Sequence, residues 1–430
     1  MPVTRLRLNV WSPRRVSSSG APDYADEQAE ALSRHHQVRR VTEACPPAGL
    51  PEADLDLYHV GNSPAYAFTY RAALRRPGVV LLHDFGLQHL WLGLSLSRGE
   101  RHVYLNEMRR AHGENGTFVG RQLLRSLAGE LWPVLYPAND RLLEASLAVV
   151  GLTRAVAAAA GKRVPRPLLC LPRHLSLPAE APSREEARSA LGLDAQARVV
   201  TAPGLATSSR RMDAAVAALA RLRDRFPRLL LVVAGDVDPQ LPLRAWADAA
   251  GFRDGLRVSG RLSPSDSLRY LAAADLVLAL CHPSQGEISG ALVQALGIGR
   301  PTLVSGATAA ANEFPEGVVV PVDPGRAEEA SLFALLSRLL DDPELCARIG
   351  RAAAAHVRSH HDLAATAECL AGFLAEVHAR KPALRQDVAR SRAPQGSLLG
   401  RLLDEARAAS HDMGLADMPH DVAGLLEPLA

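Results

Sequence analysis

The chain holds 430 residues, 47% of them hydrophobic and 22% charged, with 49 Lys and Arg against 46 Asp and Glu and a net charge of +3. That length exceeds what one hydrophobic core usually supports and predicts two domains, while the charge is too balanced to argue for nucleic acid. Five scattered cysteines without C-x-x-C spacing fit a reducing compartment and exclude a disulfide framework and a cysteine zinc site. The first residues lack a charged start followed by an apolar core, so no signal peptide is expected, and no apolar run nears the ~20 residues that span a bilayer. A cytoplasmic protein is expected, with a peripheral place at the inner membrane surface left open.

Short apolar runs alternate with Ala- and Leu-rich helical stretches, the pattern of βαβ units in a parallel sheet. In chain order, strands are predicted at 6–11, 37–41, 55–60, 79–82 and 147–151 in the first half. In the second half they are predicted at 198–202, 229–234, 256–258, 276–280, 302–304 and 318–321. Ser183-Arg-Glu-Glu186 reads as a capping box, and Ser263-Pro264 as a cap followed by proline at the first helical position. The Pro-rich segment 175–182 is expected to link the halves, with a boundary near residue 178. Residues 342–377 read as helices that end the second domain. Residues 380–397 are basic and broken by Pro382 and Pro394. A last amphipathic helix at 398–410 carries Leu398, Leu399, Leu402 and Leu403 as one apolar stripe. The expected organisation is a first domain over 1–178, a second over 179–380, and a helical, partly flexible tail over 381–430.

Four constellations follow predicted strands, at the edge where open α/β sheets bind ligands. Ser17-Ser-Ser-Gly20-Ala-Pro-Asp23-Tyr24 follows the first strand, where a glycine lets backbone amides approach a phosphate; an ordinary β–α turn is the equal alternative. His83 and Asp84 end the fourth strand, and a histidine there can hydrogen-bond a sugar hydroxyl; a structural histidine is the alternative. Gly204-Leu-Ala-Thr-Ser-Ser-Arg210-Arg211 opens the second half with two cations able to neutralise a pyrophosphate; a solvated arginine face is the alternative. The fourth, Pro283 to Pro301, is the strongest. Glu287 stands just ahead of a helix, Gly290 lies in its first turn and Gln294 lies within it. The amides near Gly290 and Ala291 are placed to hold a diphosphate, and a structural helix has no need of a first-turn glycine, which costs ~1 kcal/mol against alanine. Asp236-Val-Asp238 reads as a loop, not as a metal clamp.

Together these stretches resemble family 4 of the GT-B glycosyltransferases, the group 1 glycosyl transferases, over about residues 5–377. Ser18-Ser-Gly20-Ala-Pro-Asp23-Tyr24 resembles the family's opening loop. Val60-Gly-Asn62-Ser-Pro64, with Pro77-Gly-Val-Val-Leu-Leu-His83-Asp84, is similar to a pattern of one bacterial subgroup. Arg257-Val-Ser-Gly-Arg261-Leu-Ser-Pro resembles the strand and loop before the donor site, and 283–301 the Glu-x7-Glu signature. The resemblance implies an α/β fold of two Rossmann-like parallel-sheet domains facing a central cleft, with an extra C-terminal helical tail. It also implies a nucleotide-diphospho-sugar donor used as substrate, an unidentified hydroxyl acceptor, retention of configuration, and no cofactor or metal. His83, Glu287 and Arg210 would be catalytic. Gly20, Gly204, Arg211, Ser289, Gly290, Ala291 and Gln294 would bind the donor, and Asp23, Asn62 and Asp84 would lie on the acceptor side. Two positions depart from the pattern: Leu205 stands where an arginine is expected and Gln294 where a second glutamate is. Arg211 is the candidate replacement cation, and a catalytically weakened homologue acting as a binding or assembly partner is the alternative. The tail is a candidate for contact with a membrane surface or a second copy.

Overall fold

The computed structural model describes residues 5–14, 24–43, 52–176 and 181–392, in two compact units, residues 1–381 and 382–430. The first unit contains two six-stranded sheets. One is built from β1 (Arg7–Trp11), β2 (Gln37–Val41), β3 (Leu55–Val60), β4 (Val79–Leu82), β5 (Ala148–Gly151) and β6 (Leu168–Cys170), in the order β2-β1-β3-β4-β5-β6. The other holds β7 (Arg198–Pro203), β8 (Leu229–Ala234), β9 (Leu256–Val258), β10 (Leu276–Ala279), β11 (Thr302–Ser305) and β12 (Val320–Val322), in the order β12-β11-β10-β7-β8-β9. Every pairing is parallel.

All eleven expected strands are present within two residues of their expected bounds. The reason is burial: every residue of β3, β4, β5, β10 and β11 is buried, so these strands are covered on both faces and read as unbroken apolar runs. The strand that sequence reading missed is β6, a three-residue edge strand whose Leu168 and Cys170 are exposed. Both helix starts form as expected. Ser183 Oγ accepts from the Glu186 amide at 3.2 Å while Glu186 Oε2 accepts from the Ser183 amide at 2.9 Å, and Ser263 Oγ accepts from the Asp266 amide at 3.1 Å.

Two features near the C-terminal end differ from expectation. The helix Leu363–Ala379 does not stay with the second sheet; it packs against the helix Tyr24–Leu32 of the first half, and His36 Nε2 lies 3.3 Å from the Ala371 carbonyl. The helix Lys381–Arg392 runs through Pro382, where a break was expected. Pro382 is its second residue, a position whose N–H has no helical partner to lose. The helix expected at 398–410 lies outside the described residues. Among the described residues, no helix is long and apolar enough to cross a membrane.

The C-terminal edges of the two sheets meet across a cleft and are joined there. Thr153 Oγ1 donates to the Gly286 carbonyl at 2.8 Å. The Arg154 amide donates to both Glu313 carboxylate oxygens, at 3.0 and 3.1 Å. Arg154 Nη2 reaches the Asn312 carbonyl at 2.6 Å.

Candidate active site

On the second domain's edge, β10 runs into a loop that fixes Glu287 with three donors. Cys281 Sγ donates to Oε1 at 3.2 Å, and Ser284 Oγ and the Gln285 amide donate to Oε2 at 3.1 and 2.7 Å. Burial, then the Glu287 charge, pushes the Cys281 thiol up to about 12, so it stays a protonated donor. The next helix, Gly290–Gly297, is capped by Ser289, whose Oγ accepts from the Leu292 amide at 3.1 Å. That leaves the Gly290 and Ala291 amides at the open end of the helix, where the helix dipole favours an anion. Gln294 is buried in the same helix.

The loop after β7 approaches from the side. Gly204 adopts φ +90°, and a Cβ added at Gly235 would meet its carbonyl oxygen at 2.2 Å, so the loops after β7 and β8 touch backbone to backbone. Leu205, in the place of the expected arginine, is an exposed apolar side chain. Arg210 ends a short 3₁₀ turn with Nη1 3.5 Å from the Leu280 carbonyl, and the His282 amide donates to the Ser209 carbonyl at 2.8 Å. The turn therefore docks on the loop that carries Glu287. Arg211 differs from its expected role. Its Nε and Nη2 donate to Glu328 Oε2 at 2.8 and 2.6 Å, and the Glu328 side chain is only 2% exposed. A buried carboxylate needs a partner, and Arg211 is that partner rather than a free cation.

The first domain's edge is more deeply buried. His83 Nε2 lies 3.1 Å from His59 Nδ1. Burial drives both rings to the neutral form, His83 down to about 3, with the cation of Arg173 adding to the effect on each. The His83 ring meets the edge of Tyr24 at 5.4 Å, and His174 stacks on Tyr24 at 4.0 Å. Arg173 lies over the same Tyr24 ring, Cζ 4.6 Å from its centroid. Its guanidinium also borders the second domain: a Cβ added at Gly290 would stand 3.4 Å from Arg173 Nε and Nη2. Asp84 Oδ2 accepts from the Asn62 amide at 2.8 Å. Burial, with a contribution from Glu287 across the cleft, pushes the Asp84 carboxyl up to about 6.

His83, Asp84, Arg210, Glu287, Ser289, Gly290 and Ala291 thus line the facing edges of the two sheets, and Gln294 is buried in the helix behind them. Asn62 is engaged in structure: its Oδ1 accepts from the His89 amide at 2.7 Å, and its Nδ2 reaches Gln285 Oε1 at 3.4 Å. Gly20 and Asp23 lie outside the described residues. Beside the site, a cavity of ≈ 760 Å³ opens between the domains, lined by Phe85, Leu131, Pro133 and Val134 on one side and Gln285 and Ala309 on the other.

Residues 183–356 match the family described as Glycosyl transferases group 1. The matched stretch covers most of the second sheet and its helices. Over 198 residues, 45% of this chain, the sequence is 29% identical to the alpha-D-kanosaminyltransferase of Streptomyces kanamyceticus. That alignment covers 49% of the relative, so the chain spans about half the length of the curated protein it matches. Sucrose-phosphate synthase of Thermosynechococcus elongatus superposes with a TM-score of 0.60, over 87% of this chain and 100% of that one, at 16% identity. HepE of Anabaena, in complex with UDP, gives 0.57 over 86% and 100%, also at 16% identity. The architecture is GT-B. Both the Glu287 loop and the Gly290–Gly297 helix fall within the matched residues, whereas Arg173, His174 and His59 lie outside them and were missed by sequence reading. Arg173 and His174 sit in a stretch that reads only as the approach to a linker, and nothing adjacent to them in sequence reveals Tyr24 or Gly290 as neighbours. Cys281 stands two residues before the recognised signature and carried no chemical signal of its own.

Proposed function

We propose that this chain is a metal-independent, retaining glycosyltransferase that moves a sugar from a nucleoside-diphospho-sugar to an acceptor hydroxyl. The observation that carries the reading is the convergence at one cleft of a fixed carboxylate, an open helix end and a cation from each side: Glu287, the Gly290 and Ala291 amides, Arg210 and Arg173. The diphosphate binds at the helix end between the two arginines, which neutralise the charge that develops as it departs. Arg173 supplies the second cation that Leu205 does not, which removes the main motive for a binding-only homologue. Glu287 contacts the transferred sugar, and Gln294 hydrogen-bonds the ribose. The neutral His83 offers an uncharged hydrogen bond to a sugar hydroxyl beside Asp84. The leaving phosphate takes the acceptor's proton, so no separate base is required. The apolar face of the cavity formed by Leu131, Pro133 and Val134 favours an acceptor with an apolar portion.

The test is a thermal-shift panel of UDP-, GDP-, ADP- and TDP-sugars on the full chain. A uridine nucleotide is the first to try, since the HepE neighbour holds UDP. A donor at 100 times its Kd stabilises by ~2.7 kcal/mol. Absence of a saturable shift with every member of the panel would overturn the donor assignment.

A further inference from the structure

The opposite edge of the second sheet carries a group of charges that the proposed chemistry does not use. Arg198 opens β7, Asp275 immediately precedes β10, and Arg300 precedes β11. These three strands are neighbours in the order β11-β10-β7. Their N-terminal ends therefore form one surface, on the side of the sheet away from Glu287.

Asp275 is the carboxylate at its centre, and its oxygens are already occupied. Oδ1 accepts from Arg184 Nη1 at 3.0 Å. Oδ2 accepts from Arg188 Nη2 at 2.8 Å and from the Val199 amide at 2.7 Å. Glu185 lies 3.5 Å from Arg184 Nε, and Asp342 Oδ1 is engaged by the Leu345 amide. Arg198 and Arg300 are left with no carboxylate among the described residues. Arg300 Nε is buried without any hydrogen-bond partner, an arrangement that costs free energy for a group that cannot give up its proton. Burial, followed by the nearby Arg184, pushes the Arg300 guanidinium below its ordinary value, and Asp275 offsets this only in part.

Arg184, Arg198, Asp275 and Arg300 line one cavity of ≈ 190 Å³. It is closed on another side by the first turn of the helix Pro343–His360, through Pro343 and Cys346. That helix end is capped by the Asp342 carboxylate, so the positive field of the cavity comes from its arginines. The volume is well below the roughly 300–1,000 Å³ typical of pockets for whole small-molecule ligands. An adjoining groove of ≈ 650 Å³ shares Arg184 and Arg198 and is lined further by Gln196, Phe226 and Pro227.

We infer that this cavity is a second, non-catalytic anion site that takes a phosphate group, with Arg198 and Arg300 as its unpaired ligands and the adjoining groove open to the organic part of a phosphate monoester. Guanidinium forks match phosphate oxygens in pairs, and a bound phosphate gives the buried Arg300 Nε the acceptor it lacks.

The experiment is thermal shift on the full chain, titrating inorganic phosphate and separately a hexose 6-phosphate at constant ionic strength, with potassium chloride as control. Wild type, R198M, R300M and R210A are compared. Methionine keeps the apolar stem and removes the charge, and R198M serves if R300M fails to fold. A saturable rise is expected whose apparent Kd weakens at least tenfold in R198M and R300M and is unchanged in R210A. Tighter binding of the hexose phosphate would add the groove to the site. A response that R198M retains in full, that R210A abolishes, or that never saturates overturns the inference. The R210A arm separates this site from the donor cleft.

Discussion

Glu287 receives its three hydrogen bonds from Cys281, Ser284 and Gln285, all within six residues of it in the chain. Across the cleft, His83 lies among His59, Tyr24 and Arg173, drawn from three other segments. The two edges also differ in electrostatics. Around Glu287 each carboxylate oxygen has a donor, while the first domain buries imidazoles and a carboxyl whose ordinary values are displaced by desolvation. One edge is a local loop prepared to hold charge, and the other is a long-range cluster whose imidazoles burial keeps neutral. In the proposed reaction, charge stabilisation falls to the second domain and positioning by neutral imidazoles to the first, with Arg173 as the cation that crosses between them.

The largest effect that would break this contrast is on Glu287. Glu287→Ala is expected to lower transfer about 10²–10³-fold, the scale of losing one fixed electrostatic group (~2.7–4 kcal/mol). Its circular dichroism and melting should stay near wild type. Transfer at the wild-type rate would remove chemistry from that edge.

Next is the pH dependence of the first edge. Asp84 has its folded value raised to about 6 from 3.8. Its contribution to stability is thus present at low pH and is lost as pH rises through about 6, amounting to about 3 kcal/mol at full shift. Asp84→Asn keeps an acceptor for the Asn62 amide and cannot ionise, so its unfolding free energy should gain on wild type by that order between pH 4 and 8. The buried histidines act in the opposite direction: held neutral, they remove stability in both proteins as pH falls below 6.5. Parallel curves for the two proteins would mean that Asp84 is not desolvated as described.

A smaller change, about 1 kcal/mol or less, is expected from Gln294→Glu, which restores a charge-assisted ribose contact. Donor affinity measured by calorimetry should be equal or tighter, and a clear loss would show that the site is built around the amide. The smallest expectation is no effect. Exhaustive EDTA treatment should leave turnover unchanged, and dependence on manganese or magnesium would turn attention to Asp236 and Asp238.

The same contrast explains what was legible in the sequence. Central strands read correctly because burial on both faces makes them apolar runs, while β6 failed because its three residues lie at an exposed edge. Glu287, Ser289, Gly290 and Gln294 read together because loop and helix are consecutive. His59, Arg173 and His174 were invisible because only the fold brings them to Tyr24, and the helix Leu363–Ala379 gave no sign that it returns to the first half. Arg211 was misread because its buried partner Glu328 is 117 residues away.

Arg173 is where the two edges join, so its removal tests the account most directly. UDP binding to wild type and Arg173→Ala should be measured by isothermal titration, with Arg210→Ala and Arg211→Ala alongside. Arg173→Ala and Arg210→Ala are each expected to weaken binding by about 1.5–3 kcal/mol, the scale of a hydrogen bond to a charged group. Arg211→Ala should show its loss first in thermal stability, through the abandoned Glu328. Wild-type affinity in Arg173→Ala, with the loss appearing in Arg211→Ala instead, would contradict the assignment of the diphosphate to the Gly290 helix end between Arg173 and Arg210.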